Sequence, residues 1–293
     1  MKIKLNGKPL TAQIRKANQE NIYRTIKKTK MEKTLPKTVD ASELEQKVKK
    51  MYSDVALNPK GEYHFEMGRG LAEKLGYEKN DLDSIPAPAI DSFAGVGYYF
   101  DIANLKEGEN VLDLGSGSGM DVFVAALKVG STGHVSGVDM TDEQLEKAER
   151  LRKESHSGRI ENVSFHKTYI EKLPFADASF DVVISNGVIN LCPDKEKVFA
   201  EVARVLKPNG RMVIADIVTE KQLPENVVCN STLWAACIGG AAQQGSYRES
   251  IEKAGLEILV VRNNDAYGFI SKSAQGASKE FGVKSISLFA EKK

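Results

Sequence analysis

The stretch VLDLGSGSGMD places three alternating glycines directly after an apolar run. Without Cβ atoms, Gly115, Gly117 and Gly119 allow a tight turn and let a ligand approach the backbone closely. A helix that begins after such a turn offers unpaired N–H groups and the positive end of its dipole, which favour a carboxylate or a phosphate. The turn, with Asp113 and Ser116 in it, therefore predicts a ligand site.

A second acidic residue, Asp139 in GVDM, ends the next predicted strand. Its distance from the glycines is typical of a carboxylate that accepts hydrogen bonds from both hydroxyls of a ribose. The glycines run G-x-G-x-G rather than G-x-G-x-x-G, and Asp113 lies two residues before them. This spacing argues against a nicotinamide-dependent dehydrogenase. A helix cap beside Thr141 is the structural alternative for Asp139.

A third polar segment, SNGVINLCPDK, follows the apolar run FDVVI. Ligands of parallel sheets bind at the carboxyl ends of strands, so Asn186 and Asn190 are expected to line the same site. Gly187 leaves space there. For Cys192 two roles stay open, a catalytic thiol and a small residue of the loop.

Composition limits the class of protein. The chain has 293 residues, 41% of them hydrophobic, and a net charge of +1. The whole molecule therefore lacks the excess of positive charge that is typical of nucleic-acid-binding proteins. Residues 1–39 carry eleven Lys and Arg against two Glu. No apolar run is long enough to span a bilayer, and three cysteines give no disulfide framework. We expect a cytoplasmic protein whose basic segment is either a solvated tail or an arm that forms a homo-oligomer.

The elements that position these residues alternate from Glu109 onwards. Short β-rich runs are separated by helical stretches, and two more strands follow near the C-terminus. The predicted strands are NVLDLGSG, HVSGVDM, NVSFHKTY, FDVVISN, GRMVIADIV, LEILVVR and SISLFAEK. The pattern predicts an α/β fold, with a mostly parallel sheet covered on both faces and the last two strands antiparallel at or beside its edge.

The glycine turn and GVDM resemble those of the class I S-adenosylmethionine (SAM)-dependent methyltransferases over roughly residues 93–293. The resemblance implies a Rossmann-like fold with a mostly parallel seven-stranded sheet. It implies SAM as the cofactor, with its amino-acid part at the glycine turn and its ribose on Asp139. Met140 would pack on the adenine, and Ile170 and Glu171 would lie along the opposite side of the adenine. No metal is implied.

Longer segments resemble the arsenite methyltransferase family: VLDLGSGSGMDVFVAALKVG, SNGVINLCPDKEKVFAEVARVLKPNGRMVIADIV and LWAACIGGA. Members of that family carry three cysteines whose thiolates hold As(III). Val96 and Gly187 stand at two of those positions here, and only Cys237 matches. A soft ion needs several thiolates that converge on it, so the substitutions argue against As(III) itself as the acceptor.

Four residues are candidates for contact with the acceptor. Tyr98 or Tyr99 in AGVGYYF is expected to reach the pocket, where aromatic rings stabilise a sulfonium; the alternative is that these rings pack the lid onto the sheet. His64 is the candidate general base for a thiol or an alcohol. Cys237 either contacts the substrate or packs as a small buried residue.

We therefore predict a SAM-dependent methyltransferase of a small-molecule acceptor, similar to the arsenite methyltransferases. The alternatives are methylation of sulfide or small thiols, methylation of O, N or C in a small metabolite, and a non-catalytic SAM-binding module. The predicted domains are a basic helical extension at 1–39, a helical cap at 40–92 and the methyltransferase domain at 93–293.

Overall fold

The computed structural model describes residues 4–5, 8–9, 39–154, 160–230, 233–234 and 238–293. Its contacts divide the chain into two units, 1–38 and 39–293. In the first unit, strands β1 (Lys4–Leu5) and β2 (Lys8–Pro9) pair antiparallel. The predicted helix of this segment and its predicted contact with a second subunit lie outside the described residues.

The second unit begins with helices that precede the sheet. They are α1 (Ala41–Leu57), α2 (Gly68–Leu75), α3 (Lys79–Asp83), α4 (Ala87–Asp91) and α5 (Phe100–Ala103). Asp40 caps α1, because its carboxylate accepts the N–H groups of Ser42 and Glu43. Gly76 ends α2 with a φ of 111°, which glycine adopts without steric cost.

A single sheet forms the centre of this unit. Its strands are β3 (Asn110–Leu114), β4 (His134–Asp139), β5 (Val163–Lys167), β6 (Phe180–Asn186), β7 (Leu206–Thr219), β8 (Ala242–Gln243), β9 (Leu256–Asn263) and β10 (Lys284–Lys292). The order is β5-β4-β3-β6-β7-β10-β9, with β8 paired to β7. The sheet thus has an eighth, two-residue strand that the sequence did not predict. The prediction of an antiparallel pair is confirmed, since β10 lies antiparallel between β7 and β9.

Helices cover both faces of the sheet. They are α6 (Met120–Val129), α7 (Asp142–Glu154), α8 (Lys195–Val205), α9 (Glu225–Val228), α10 (Gln244–Lys253) and α11 (Lys272–Phe281). Alternate residues of β3 belong to different cores: Val111 lies in the core that contains Phe123 of α6, and Leu112 lies in the core that contains Phe199 of α8. The predicted α/β fold, with a mostly parallel sheet between two helical layers, is confirmed.

The strand order brings the predicted ligand residues together. Strand β3 lies between β4 and β6, and all three run parallel. Their carboxyl ends carry the glycine turn, Asp139 and Asn186 to one edge of the sheet. The chain leaves β3 towards β4 and later returns to β6 on its other side, which is where such sheets open a crevice.

Candidate functional site

A pocket opens at this edge of the sheet, with an empty volume of about 1340 Å³ that includes its mouth. Its lining contains the predicted cofactor residues Asp113, Gly115, Ser116, Gly117, Asp139, Met140, Ile170, Glu171 and Asn186. The remaining predicted residue, Gly119, lies behind the wall, where a Cβ would stand 2.9 Å from the Phe165 ring. The structure therefore brings nearly the whole predicted set to one cavity.

The glycine turn requires glycine at two positions because of its backbone conformation and close packing. Gly115 and Gly117 have φ values of 71° and 51°. A Cβ on Gly115 would lie 2.4 Å from Val188, so a side chain there would collide with the loop that follows β6. The Asp139 carboxylate accepts the N–H of Gly117 at 3.0 Å and that of Thr141 at 2.8 Å. Asp139 thus holds the glycine turn and the chain that leads into α7, and it keeps lone pairs for a ligand.

Asp113 is an almost fully buried carboxylate that faces the pocket. Among the described residues, none donates a hydrogen bond to its carboxylate, and only burial and neighbouring charges act on its pKa. Burial, followed by the nearby carboxylates of Asp121 and Asp139, raises its pKa well above the usual range. A buried acid in this state attracts a ligand cation, because the cation stabilises the ionised form.

Asp121 is a pocket residue that the sequence reasoning missed. Its carboxylate accepts the hydroxyls of Tyr77 at 2.6 Å and Tyr99 at 2.7 Å, and the amide of Asn186 at 3.1 Å. Burial raises the pKa of Asp121, and these three hydrogen bonds oppose the rise. Its place, two residues after Gly119 in the first turn of α6, was the available signal. Nothing in the sequence pattern identifies Tyr77.

The amide of Asn186 holds the 94–97 loop. Its Oδ1 accepts the N–H groups of Val96 at 2.8 Å and Gly97 at 3.3 Å. Its Nδ2 donates to the carbonyl of Gly97 and to the Tyr77 hydroxyl, besides Asp121. Asn186 lines the pocket, but its polar atoms are engaged by protein groups, so it acts on the loop rather than by binding a cofactor with a free amide.

The predicted contact residues Tyr98 and Tyr99 do not lie among the lining residues. The Tyr98 ring packs edge-on against Tyr77, and burial raises the pKa of Tyr98 to about 12. Tyr99 is fully buried and reaches the site only through Asp121. The physical reason is that Asn186 and Ser285 bind the loop just before these tyrosines, which directs both rings away from the cavity.

Two further acceptor-side predictions concern His64 and Cys237. His64 follows the end of α1, packs edge-on against Phe65 with ring centroids 4.6 Å apart, and does not line the pocket. Cys237 lies outside the described residues. Asn190, which the sequence placed in the lining, is fully buried instead, and its N–H donates to Asp216.

Cys192 lines the pocket as an uncharged thiol. Its Sγ donates to Oε1 of Glu171 at 2.7 Å. Burial first, and then the Glu171 carboxylate, raise the pKa of Cys192 far above that of a free thiol. Since the thiolate is the nucleophile and the soft-metal ligand, this position favours the interpretation of a small loop residue.

Helix α1, which belongs to the segment 40–92, covers the pocket. Its side chains Leu44, Val48 and Tyr52 line the cavity. At the mouth, the Tyr169 hydroxyl donates to Glu45 at 2.6 Å and accepts from Lys49 at 2.7 Å. We call these three residues, Glu45, Lys49 and Tyr169, the mouth clasp.

The far end of α1 is held by one part-buried and one buried hydrogen bond from other elements. Gln144 donates to the carbonyl of Tyr52, and Lys147 donates to that of Ala56. Of the described residues, none form a cluster of three or more His, Cys, Asp or Glu suited to a metal ion. No described helix is both long and apolar enough to cross a membrane.

Known proteins resemble this chain over most of the second unit. A family model described as a methyltransferase domain matches residues 105–255. The chain is 41% identical to an arsenite methyltransferase of Halobacterium salinarum over 194 residues, 66% of this chain and 49% of that protein. It is 46% identical to the human arsenite methyltransferase over 137 residues, 45% of this chain and 36% of that protein.

A solved structure gives a similar result. CrArsM, an arsenic(III) S-adenosylmethionine methyltransferase from Chlamydomonas reinhardtii, superposes with a TM-score of 0.57 at 31% identity. The match covers 77% of this chain and 74% of that one. The chain spans about half or less of the length of the two curated relatives. The predicted resemblance to SAM-dependent methyltransferases, and among them to the arsenite methyltransferases, is confirmed.

Proposed function

The chain belongs to the methyltransferase-domain family, and we propose that it transfers the methyl group of SAM to a small-molecule acceptor. The observation that carries the proposal is the buried Asp113 carboxylate, which faces the pocket beside the glycine turn and Asp139. SAM carries an ammonium group, a sulfonium and a ribose. These groups match the two carboxylates of Asp113 and Asp139, which lie at the ends of adjacent strands.

In this proposal the donor lies along the ends of β3 and β4. Asp113 binds the ammonium group, and Asp139 accepts hydrogen bonds from the ribose hydroxyls. The adenine packs between Met140 and Ile170, as the family resemblance implies. Support comes from the contact of all four side chains with one cavity.

The acceptor then lies on the other side of the donor, between α1 and the loops that follow α4 and β6. This part of the wall is apolar and includes Leu44, Val48, Phe93, Val188 and Leu191. Methyl transfer needs the acceptor atom in line with the bond from carbon to sulfur. A preorganised, dry pocket supplies that alignment and excludes water.

The cage that the arsenite methyltransferases build for As(III) is incomplete at the positions described here. By the family resemblance, Val96 and Gly187 correspond to two of the three thiol positions, and the Cys192 thiol donates to Glu171. We therefore propose a small acceptor that is not held by three converging thiolates. Arsenite with excess glutathione tests this proposal, since catalytic methylation of As(III) contradicts it.

For location and assembly we propose a cytoplasmic protein whose basic N-terminal segment contacts a second copy. Three cysteines without a disulfide framework support the first point, and the segment's charge supports the second. Light scattering on the full chain at low and high salt tests the assembly. A mass of one chain under both conditions contradicts the proposed contact.

Calorimetric titration with SAM tests the proposed function. We expect wild-type protein to bind SAM and Asp113→Asn to bind it at least about tenfold more weakly, because a charge-assisted bond is lost. Asp142→Asn is the matched control, since Asp142 is exposed and pairs with Lys167. Absence of SAM binding by the wild type contradicts the proposal.

A further inference from the structure

Three aromatic side chains line the pocket in the part of the chain that the structure describes: Tyr52, Phe93 and Tyr169. An aromatic ring has a negative face, which attracts a cation within about 6 Å of the ring centroid. The sulfonium of SAM is such a cation. Sequence reasoning expected Tyr98 or Tyr99 to make this contact, but neither of them lines the pocket. The contact therefore falls to one of the three lining rings.

The Tyr169 ring does not suit this role, because it already faces a cation. The Lys49 ammonium lies 4.8 Å from the centroid of the Tyr169 ring, and the Tyr169 hydroxyl donates to Glu45 in the mouth clasp. The Tyr169 side chain is also 44% exposed, and water weakens the attraction between a ring and a cation.

The Tyr52 ring is carried by α1, the helix that covers the pocket. Phe65 packs nearly parallel to this ring, with the two centroids 6.3 Å apart. Tyr52 thus belongs to an aromatic stack of the segment 40–92, whereas the proposed donor is held at the strand ends by Asp113 and Asp139.

Phe93 lies deeper, beside the end of β6. A Cβ on Gly95 would stand 2.3 Å from Cζ of Phe93 and 2.7 Å from Nδ2 of Asn186, so the edge of the ring and this amide meet at Gly95. The same amide nitrogen donates to Asp121 at 3.1 Å. Phe93 is therefore the lining ring that stands next to the strand ends.

The position of the Phe93 ring is fixed by the protein itself. Its backbone N–H donates to the carbonyl of Ile90 at 2.9 Å, and its carbonyl accepts the N–H of Gly68 at 2.8 Å. The ring packs edge-on against Tyr77, with centroids 5.2 Å apart. Only 7% of Phe93 is exposed, so a cation at this ring meets little competition from water.

Resting on the proposed function, we propose that Phe93 binds the sulfonium of the donor with the face of its ring. The donor's methyl group must point towards the acceptor, and Phe93 belongs to the apolar wall of the proposed acceptor site, so the charged sulfur lies within reach of this ring.

The ring also lets the pocket distinguish the donor from its product. In methyl transfer the acceptor's electron pair forms the new bond to the methyl carbon. The electron pair of the broken bond between carbon and sulfur stays on sulfur, which becomes the neutral thioether of S-adenosylhomocysteine (SAH). The product has no charge at sulfur, so it loses the attraction of the Phe93 ring and is released more readily than the donor.

Calorimetric titration of the full chain with SAM and with SAH separates this role from packing. The two ligands differ only in the methyl group and in the charge that it places on sulfur. We expect Phe93→Leu to weaken the binding of SAM about three- to tenfold more than the binding of SAH, because leucine is apolar but has no ring face. A ring that only packs in the wall would change both affinities by the same factor.

Two further measurements complete the comparison. Tyr52→Leu removes another lining ring and should change both affinities equally. Replacing Phe93 with phenylalanines that carry one, two and five ring fluorines keeps the packing of the wall but weakens the negative face in steps. The preference for SAM over SAH should fall in the same order, and this series tests the inference even where Phe93→Leu unfolds.

Equal losses for SAM and SAH in Phe93→Leu, or a preference that does not change with fluorination, overturn the inference. A preference that is lost in Tyr52→Leu instead assigns the sulfonium to α1 and overturns it as well. Failure of the wild type to bind either ligand counts against the proposed function instead.

Discussion

The Val96 side chain lies 3.1 Å from the point where a Cβ on Gly187 would stand. The two residues are 91 positions apart in the sequence, and both are positions for which the resemblance to the arsenite methyltransferases implies cysteine in that family. Gly187 lines the pocket and Val96 is buried behind it. The valine thus takes the room that a side chain at 187 would need, and the two substitutions form one packing arrangement.

Gly187→Ala should lower the free energy of unfolding by about 1–2 kcal/mol, because Gly187 has a φ of 74° and little space beside it. Urea unfolding measures the change. In the double variant with Val96→Ala, the combined loss should be smaller than the sum of the single losses, since one contact is relieved. Gly70→Ala is the control: Gly70 lies within α2 with open space around it, so this change should be neutral or slightly stabilising. A Gly187→Ala protein as stable as wild type contradicts the interpretation.

Asn186→Ala should loosen the 94–97 loop. The variant leaves the N–H groups of Val96 and Gly97 without their acceptor and removes a donor from Asp121. We expect a loss of at least about 2.5 kcal/mol in the free energy of unfolding, because the side chain makes five hydrogen bonds that contribute about 0.5–1.5 kcal/mol each.

Hydrogen exchange gives the specific readout for this variant. The amides of Val96 and Gly97 should exchange at least about tenfold faster than in wild type. Asn162→Ala serves as the control, because Asn162 donates to the carbonyls of Ala126 and Gly130, remote from this loop. Unchanged exchange at both amides shows that Asn186 does not hold the loop.

The sequence predicted the part of the site that is built from residues close together in the chain. The turn at Gly115 and Gly117 and the acid at the end of β4 lie on consecutive elements, so spacing alone placed them correctly. The Asp121 network joins residues from separate parts of the chain, including Tyr77, 44 positions earlier. No periodicity connects such residues. The same limit explains Tyr98 and Tyr99, since the direction of a side chain in an irregular loop depends on distant partners such as Ser285.

SAM binding should strengthen as the pH rises from about 4, the usual pKa of an aspartate, through the raised pKa of Asp113 in the folded protein. In the donor-free protein, burial and the carboxylates of Asp121 and Asp139 raise the pKa of Asp113. The folded protein therefore binds a proton at Asp113 more tightly than the unfolded chain does. A folded pKa above the unfolded value means that the free energy of unfolding falls as the pH rises through this range. The positive groups of SAM favour the ionised carboxylate, so binding releases the proton.

Calorimetry in two buffers of different ionisation enthalpy measures that proton release. We expect a net release near the lower end of the range and a smaller release near the upper end. In Asp113→Asn both the release and the rise in affinity should disappear. A wild-type affinity independent of pH over this range contradicts the assignment of Asp113.

Tyr169→Phe should speed the dissociation of SAM by about two- to fivefold. The phenolic hydroxyl bonds to Glu45 and Lys49 of α1 at the pocket mouth, whereas the other end of α1 is held by hydrogen bonds from Gln144 and Lys147. The mouth clasp is partly exposed, so its loss costs about 0–1 kcal/mol and changes a rate by a small factor. Stopped-flow measurement with excess competing SAH gives the dissociation rate. Lys50→Met is the control, because Lys50 pairs with Asp54 on the same helix and lies outside the lining, and it should leave the rate unchanged. If Tyr169→Phe and Lys50→Met give the same rate as wild type, the clasp does not limit the escape of the donor.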